Sequence, residues 1–253
     1  MDINSHIQVP RCILSNFANK NGTLYCYDVK EKKCYPSSAR KVNTSIGYYS
    51  KETEQYLSGT IEAPLGGAVS FLKKADFSNG FVLKAKTQNA LIKYLRSLLA
   101  RSPQMHDMVI ERSLFSRFYS KQEYNDMAVR FGIEEIIKDK MFEDYKISFL
   151  LPSGEDEYIL PQCGYVKYQT KSGVFVLAPV TPHIAVFMHC GGQLQGNYAA
   201  HIKKEHCDSC NRLLMKKQCA LGSGLVCATH KELLEEFMPP KNDVENSRID
   251  QNA

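Results

Sequence analysis

The spacing of apolar positions changes period along the chain. Leu24 to Val29 is an aromatic, β-prone run preceded by the turn dipeptide Asn21-Gly22, and after a charged tip it is answered by Cys34-Tyr35. That pattern predicts a β-hairpin unit over 22–49, with a third extended piece at Ser45 to Tyr49. Pro10 to Ala18 reads as a short helical turn with proline at its first position. From Ser50 the period becomes three and four. Leu57, Ile61, Leu65, Ala68 and Leu72 trace one face of a helix from about Glu52 to Lys74, which Pro64 and Gly66-Gly67 are expected to kink or split. A helix after Thr87 turns Leu91, Tyr94, Leu95 and Leu98 inward, and Met105 to Tyr119 reads as helical too. Ser120-x-x-Glu123 is a capping box for a helix that Gly132 closes, and Ile133 to Asp144 supplies one more.

Beyond residue 144 the pattern turns to short strands. "YKISFLL", "DEYILP", "YVKYQ", "GVFVLAP" and "HIAVFMH" are separated by turn residues and predict an antiparallel sheet or meander. "GSGLVCAT" adds a strand, and Thr229-x-x-Glu232 is a second capping box before a last helix. The predicted class is α+β: one domain over 1–238, comprising hairpin 22–49, helical group 50–144, and a sheet with packed helices over 145–238. The tail 239–253 is almost devoid of apolar residues and reads as disordered.

Composition narrows the classes. Hydrophobic residues are 43% and charged residues 23%, which excludes a disordered or collagenous chain. The net charge of +5 is spread without a run of like charges, so it permits nucleic-acid binding without demanding it. No secretory leader or membrane span is read, which leads to the expectation of a cytoplasmic protein without a membrane partner. In that compartment nine cysteines read as buried thiols or ligands.

Cys207-x2-Cys210 and Cys227-x2-His230 have the spacing of a four-ligand zinc site. Yet Asn211 to Ala220 is built of good helix formers, with no glycine or proline to sharpen a turn. A straight helix with Cys207 and Cys210 packed inward outweighs the metal reading.

"IQVPRCILSNFANKNGTLYCYDV" resembles the prokaryotic family known as domain of unknown function four-two-three-eight, whose members open on a His-Tyr-Val-Pro-like motif. Glu54-x2-Leu57 with Ile61-Glu62 resembles that family's helix of paired glutamates. Arg101-x-Pro103 resembles its Arg-x-Pro, "FVLAPVTPHIAVFM" its strand pair, and 211–237 its closing helix, strand and helix. The resemblance runs over residues 7–237. Two positions depart from it: Ile7 stands at the family's histidine, with His6 one place early, and Gln162 stands at its aspartate.

Glu54 and Glu62, eight residues apart, are about 12 Å apart along an ideal helix and about 80° around it. With Arg101 and a further carboxylate such as Asp107 or Glu111, they form a candidate catalytic set for a magnesium-dependent phosphodiesterase, which needs hard oxygen ligands and a basic partner. The alternative is solvated surface charges, one of them paired with Arg101. Tyr25 and Tyr27 with Lys32, Lys33 and Arg40 are the candidate nucleic-acid-binding set, since tyrosines among basic residues stack bases and hold phosphates. A cysteine–histidine nucleophilic pair around His183, His189 and Cys190 is disfavoured, because adjacent strand residues face opposite ways. The leading expectation is a bacterial protein that binds or acts on nucleic acid, a diverged metal-dependent nuclease of a defence or mobile-element system. The alternatives are a non-catalytic adaptor with a protein partner, and a zinc-stabilised binding module.

Overall fold

The computed structural model describes residues 4–77, 81–102, 105, 119–138, 142, 144–171, 173–190 and 198–240. Within it a five-stranded sheet has its three central strands buried on both faces, which explains why those strands read as unbroken apolar runs. The strands are β5 (Lys146–Pro152), β7 (Val166–Thr170), β8 (Gly173–Thr181), β9 (Ile184–Cys190) and β10 (Ala199–Ile202), in the order β10-β5-β9-β8-β7. Every pairing is antiparallel except β10 with β5, which is parallel. Alternate residues divide between two cores. Ile147, Phe149, Val176, Val186 and Met188 pack towards the N-terminal helices, while Phe175, Leu177, Ala185 and Phe187 pack towards the C-terminal ones.

Strands β2 (Leu24–Asp28) and β3 (Lys33–Ser37) form the predicted hairpin. They belong to a second sheet, β3-β2-β11-β6, completed by β11 (Leu225–Ala228) and the two-residue β6 (Leu160–Pro161). "DEYILP" therefore contributes to this sheet and not to the meander. Gln162 makes the switch: its N–H bonds the Leu225 carbonyl at 2.7 Å, and its side-chain oxygen accepts the Leu225 N–H at 3.0 Å. The third extended piece does not join the hairpin. As β4 (Thr44–Ile46) it pairs with β1 (Asn4–His6) in a separate ladder.

The helical rod after Ser50 is α2 (Lys51–Leu57), a π turn (Ser58–Glu62) and α3 (Ala63–Leu72). The irregularity thus lies just before Pro64, which lacks the N–H that would bond back to Thr60; the π turn absorbs that missing bond. Helix α4 (Ala85–Ala100) buries Leu91, Tyr94, Leu95 and Leu98 as the spacing predicts. Helix α5 (Lys121–Lys138) opens on the expected capping box, Ser120 N–H to Glu123 Oε2 at 2.8 Å and Glu123 N–H to Ser120 Oγ at 3.3 Å. It runs through Gly132 without stopping. Most of the expected helix Met105 to Tyr119 lies outside the described residues, as does the tail beyond residue 240.

Helix α6 (Lys204–Ala220) is continuous, as its propensities predict, and α7 (Lys231–Phe237) closes the described chain. The second capping box does not form: α7 starts after His230, and the Thr229 hydroxyl is bonded instead to the Glu157 carboxylate. Among the described residues no helix is long and apolar enough to cross a membrane.

Candidate active site

The candidate acid–base residues converge because of the π turn. Eight residues of plain α-helix leave Glu62 about 80° around from Glu54, but a π turn takes up one residue, so the offset shrinks to about 20°. Both glutamates then face the end of α4 and strand β1. Arg101, the residue that ends α4, has a side chain only 1% exposed; Nη2 meets Glu62 Oε1 at 3.3 Å and Nη1 donates to the Gln8 carbonyl at 2.9 Å. The guanidinium therefore ties the N-terminal segment to the rod.

Glu54 sits in the first turn of α2, which Ser50 caps by accepting the Thr53 N–H at 3.2 Å. Helix α5 holds this turn from the other side: Asp126 accepts the Ser50 N–H at 2.9 Å, and Arg130 Nε donates to Thr53 Oγ1 at 3.0 Å. Burial raises the Glu54 pKa above its ordinary range, opposed by a hydrogen bond from Ser5 and by the charge of Arg101, and assisted by the charges of Glu62 and Asp126. Two carboxylates share one patch, Glu62 ion-paired with Arg101 and Glu54 with its pKa raised by burial.

Sequence reasoning missed two members of this patch, Ser5 and His6. His6 Nε2 lies 2.9 Å from the Ala39 carbonyl, and burial lowers its pKa, with the Ala39 bond and Glu62 opposing and Arg101 and Arg11 assisting. The signal was present: a histidine one place early in the opening motif still lies in the field of Glu62. The further carboxylates expected at Asp107 and Glu111 lie outside the described residues. Among the described residues no group of three or more His, Cys, Asp or Glu is arranged to hold a metal ion.

The other two candidate sets do not assemble. Cys207 Sγ faces the Glu157 carbonyl at 3.6 Å, Cys227 Sγ faces Cys26 Sγ at 3.7 Å, and His230 Nδ1 lies 3.5 Å from Glu157. Cys207, Cys210, Cys227 and His230 thus fail to share a centre, because a straight helix cannot bend its thiols towards β11. Burial also pushes the Cys207 thiol up to about 12 and Cys210 to about 11, away from the thiolate that zinc binds. In the hairpin set, Tyr27 is buried and Tyr25 half-buried on one face of β2, both packed into the C-terminal core. Lys32, Lys33 and Arg40 are exposed but share no open face with them, since β2 is an interior strand between β3 and β11. Of the disfavoured Cys–His pair, His189 is buried beside Phe175 and Phe187.

A cavity of about 770 Å³ lies elsewhere, between the Asn16–Asn21 segment and the β8–β9 turn, with Glu157, Thr229 and His230 in its wall. No curated protein and no solved structure is significantly similar to the chain. A family model does match, over residues 6–145, a span that takes in His6, Glu54, Glu62 and Arg101 and stops where the five-stranded sheet begins. With more than half of its length in that match, the chain belongs to the family described as Protein of unknown function (DUF4238).

Proposed function

We propose that the chain acts on nucleic acid, cleaving a phosphodiester bond with Glu54 and Glu62 as its acid–base carboxylates and Arg101 holding Glu62 in place. The observation that carries this reading is the π turn that brings Glu54 round to the side of Glu62 and Arg101. π turns within helices occur frequently at functional sites. A half-buried carboxyl whose pKa is raised by burial is suited to give a proton to the leaving oxygen, while Glu62, oriented by Arg101, is placed to take the proton of the water that attacks phosphorus. Magnesium, the cation that hard carboxylate oxygens take, would need further carboxylates such as Asp107 or Glu111, which lie outside the described residues, because no described group of three is arranged to hold it.

The test is cleavage of single- and double-stranded DNA and RNA by the purified chain, with and without magnesium or manganese. Cleavage that Glu54→Gln removes, in a variant that is folded and no less stable than the parent, supports the reading; failure to cleave or bind any of these polymers overturns it.

One observation favours a second reading, a non-catalytic interaction protein: Arg101 is buried and engaged by both Gln8 and Glu62, as a structural clasp is. On that reading Glu54→Gln leaves every biochemical readout unchanged, and Arg101→Met affects stability alone.

A further inference from the structure

The 770 Å³ cavity has the size of a small-molecule site, and its wall is asymmetric in hydrogen-bonding character. Its one carboxylate, Glu157, is already committed: the Thr229 hydroxyl donates to it, His230 Nδ1 lies 3.5 Å from Oε2, and His183 Nε2 lies 3.6 Å from Oε1. His183 Nδ1 is 3.2 Å from the Asp156 carbonyl, so the ring is held at both nitrogens. The two imidazoles meet opposite oxygens of the carboxylate, so the three residues bracket a charge and do not surround a common point.

What remains uncommitted in the wall is donors. Lys73 Nζ gives one of its three N–H groups to Asn16 Oδ1 at 3.2 Å, and Lys20 meets no partner among the described residues; His230, whose Nδ1 lies 2.8 Å from the Thr229 hydroxyl, leaves Nε2 open to a ligand. A surplus of cationic and N–H donors selects a ligand that brings negative charge and acceptors. The remaining wall, with Tyr25, Pro182 and Ile184, is apolar and partly aromatic and accepts a flat ring.

We propose that this cavity binds a nucleoside monophosphate, with the phosphate on Lys20, Lys73 and His230 and the base against Tyr25. The nucleotide is either free or the end of a strand; the chemistry recognised is the same. The site is separate from the Glu54 patch and does not depend on the reading given to it.

Calorimetric titration of the full chain with AMP, adenosine, inorganic phosphate and a 5′-phosphorylated tetranucleotide tests this. The expected result is one AMP per chain, with adenosine and phosphate each at least tenfold weaker. Lys73→Met and His230→Ala each weaken AMP at least tenfold without moving the melting temperature of the free protein, and Glu54→Gln binds AMP as the parent does. Tighter binding of the tetranucleotide assigns the site to a strand end, and tighter binding of AMP to a free nucleotide. No saturable binding of AMP or the tetranucleotide, or AMP binding that the Lys73→Met/His230→Ala double variant leaves intact, overturns the proposal.

Discussion

Cys26 and Cys227 face one another across β2 and β11, their sulfurs 3.7 Å apart in a dry interior although 201 positions separate them in the chain. Val29 N–H bonds the Gly224 carbonyl, so by the alternation of an antiparallel ladder Cys26 and Cys227 form a non-hydrogen-bonded pair, where side chains approach most closely. Their hydrogen bond, and then burial, raise the Cys227 thiol well above its ordinary range. Thiol reagents should therefore label the half-buried cysteines Cys12, Cys34, Cys190, Cys210 and Cys219 first. Cys26 and Cys227 should react only at the rate of global unfolding, as followed by mass spectrometry. Their labelling alongside Cys210 contradicts this packing.

Glu54 should cost stability at neutral pH. A carboxyl whose folded pKa lies above its unfolded value favours the fold while protonated; that contribution is complete below the unfolded pKa and is lost as pH rises through the folded one. Glu54→Gln should then raise the melting temperature at pH 7 by about 1–2 °C, roughly half a kcal/mol once solvent screening of a half-exposed group is allowed for. The gain should fade as pH falls through the ordinary glutamate range near 4.5. Melting curves from pH 4 to 8 check this. A variant more stable yet inactive is the signature of a residue kept for chemistry.

Arg101 and Glu62 should show strong coupling. Arg101→Met and Glu62→Gln each leave a buried group without its partner, at about 3 kcal/mol for the arginine and somewhat less for the quarter-exposed glutamate. The double variant should lose less than the sum, by about 1–2 kcal/mol, in denaturant unfolding. Additive losses mean that the ion pair is not the clasp.

Legibility in the sequence followed locality. The hairpin, the inward face of α4, the Ser120 box and the unbroken α6 are set by residues within a few positions of one another, and periodicity revealed them. The partner of a strand is not local. "DEYILP" looks like a meander strand until Gln162 and Leu225 meet, and Thr229 looks like a cap until Glu157 takes its hydroxyl. Glu54, Glu62 and Arg101 could be named from the sequence, but a regular helix keeps the two glutamates apart, and a π turn has no residue signature beyond the nearby Pro64. The cavity was invisible for the same reason: its wall is drawn from residues 16–25, 73, 157, 181–184 and 229–230.

Gly132 looked like a helix stop and is a helix crossing. A Cβ placed there meets Met105 Cγ at 3.0 Å, Ala100 Cβ at 3.2 Å and the Ala100 Cα at 3.3 Å. Gly132→Ala gains about 1 kcal/mol of helix propensity and loses a similar amount to crowding against backbone, so it should be nearly neutral. Gly132→Leu gains nearly the same propensity, but its larger side chain adds far more crowding, and it should lose about 2–3 kcal/mol in denaturant unfolding. A stable leucine variant removes the close approach of α5 to α4.

Asn211 links the fold to the cavity. Fully buried on α6, it accepts the Ile159 N–H at 3.0 Å and donates to the Glu157 carbonyl at 2.9 Å, so one amide fixes the backbone on which the Glu157 carboxylate is mounted. Asn211→Ala leaves the buried Ile159 N–H unpaired and the Glu157 carbonyl with only the weak Cys207 thiol bond, about 3 kcal/mol, or a fall of roughly 6–12 °C in melting temperature. The consequence beyond stability is specific. With residue 157 released, the carboxylate no longer orients His183 and His230, so AMP binding measured well below the new melting temperature should weaken several-fold. Cys207→Ala, which gives up only a weak thiol bond to the same Glu157 carbonyl, should leave that affinity unchanged. Equal affinities in the Asn211→Ala variant and the parent mean that the backbone at 157 is held by other contacts and that α6 has no part in positioning the cavity wall.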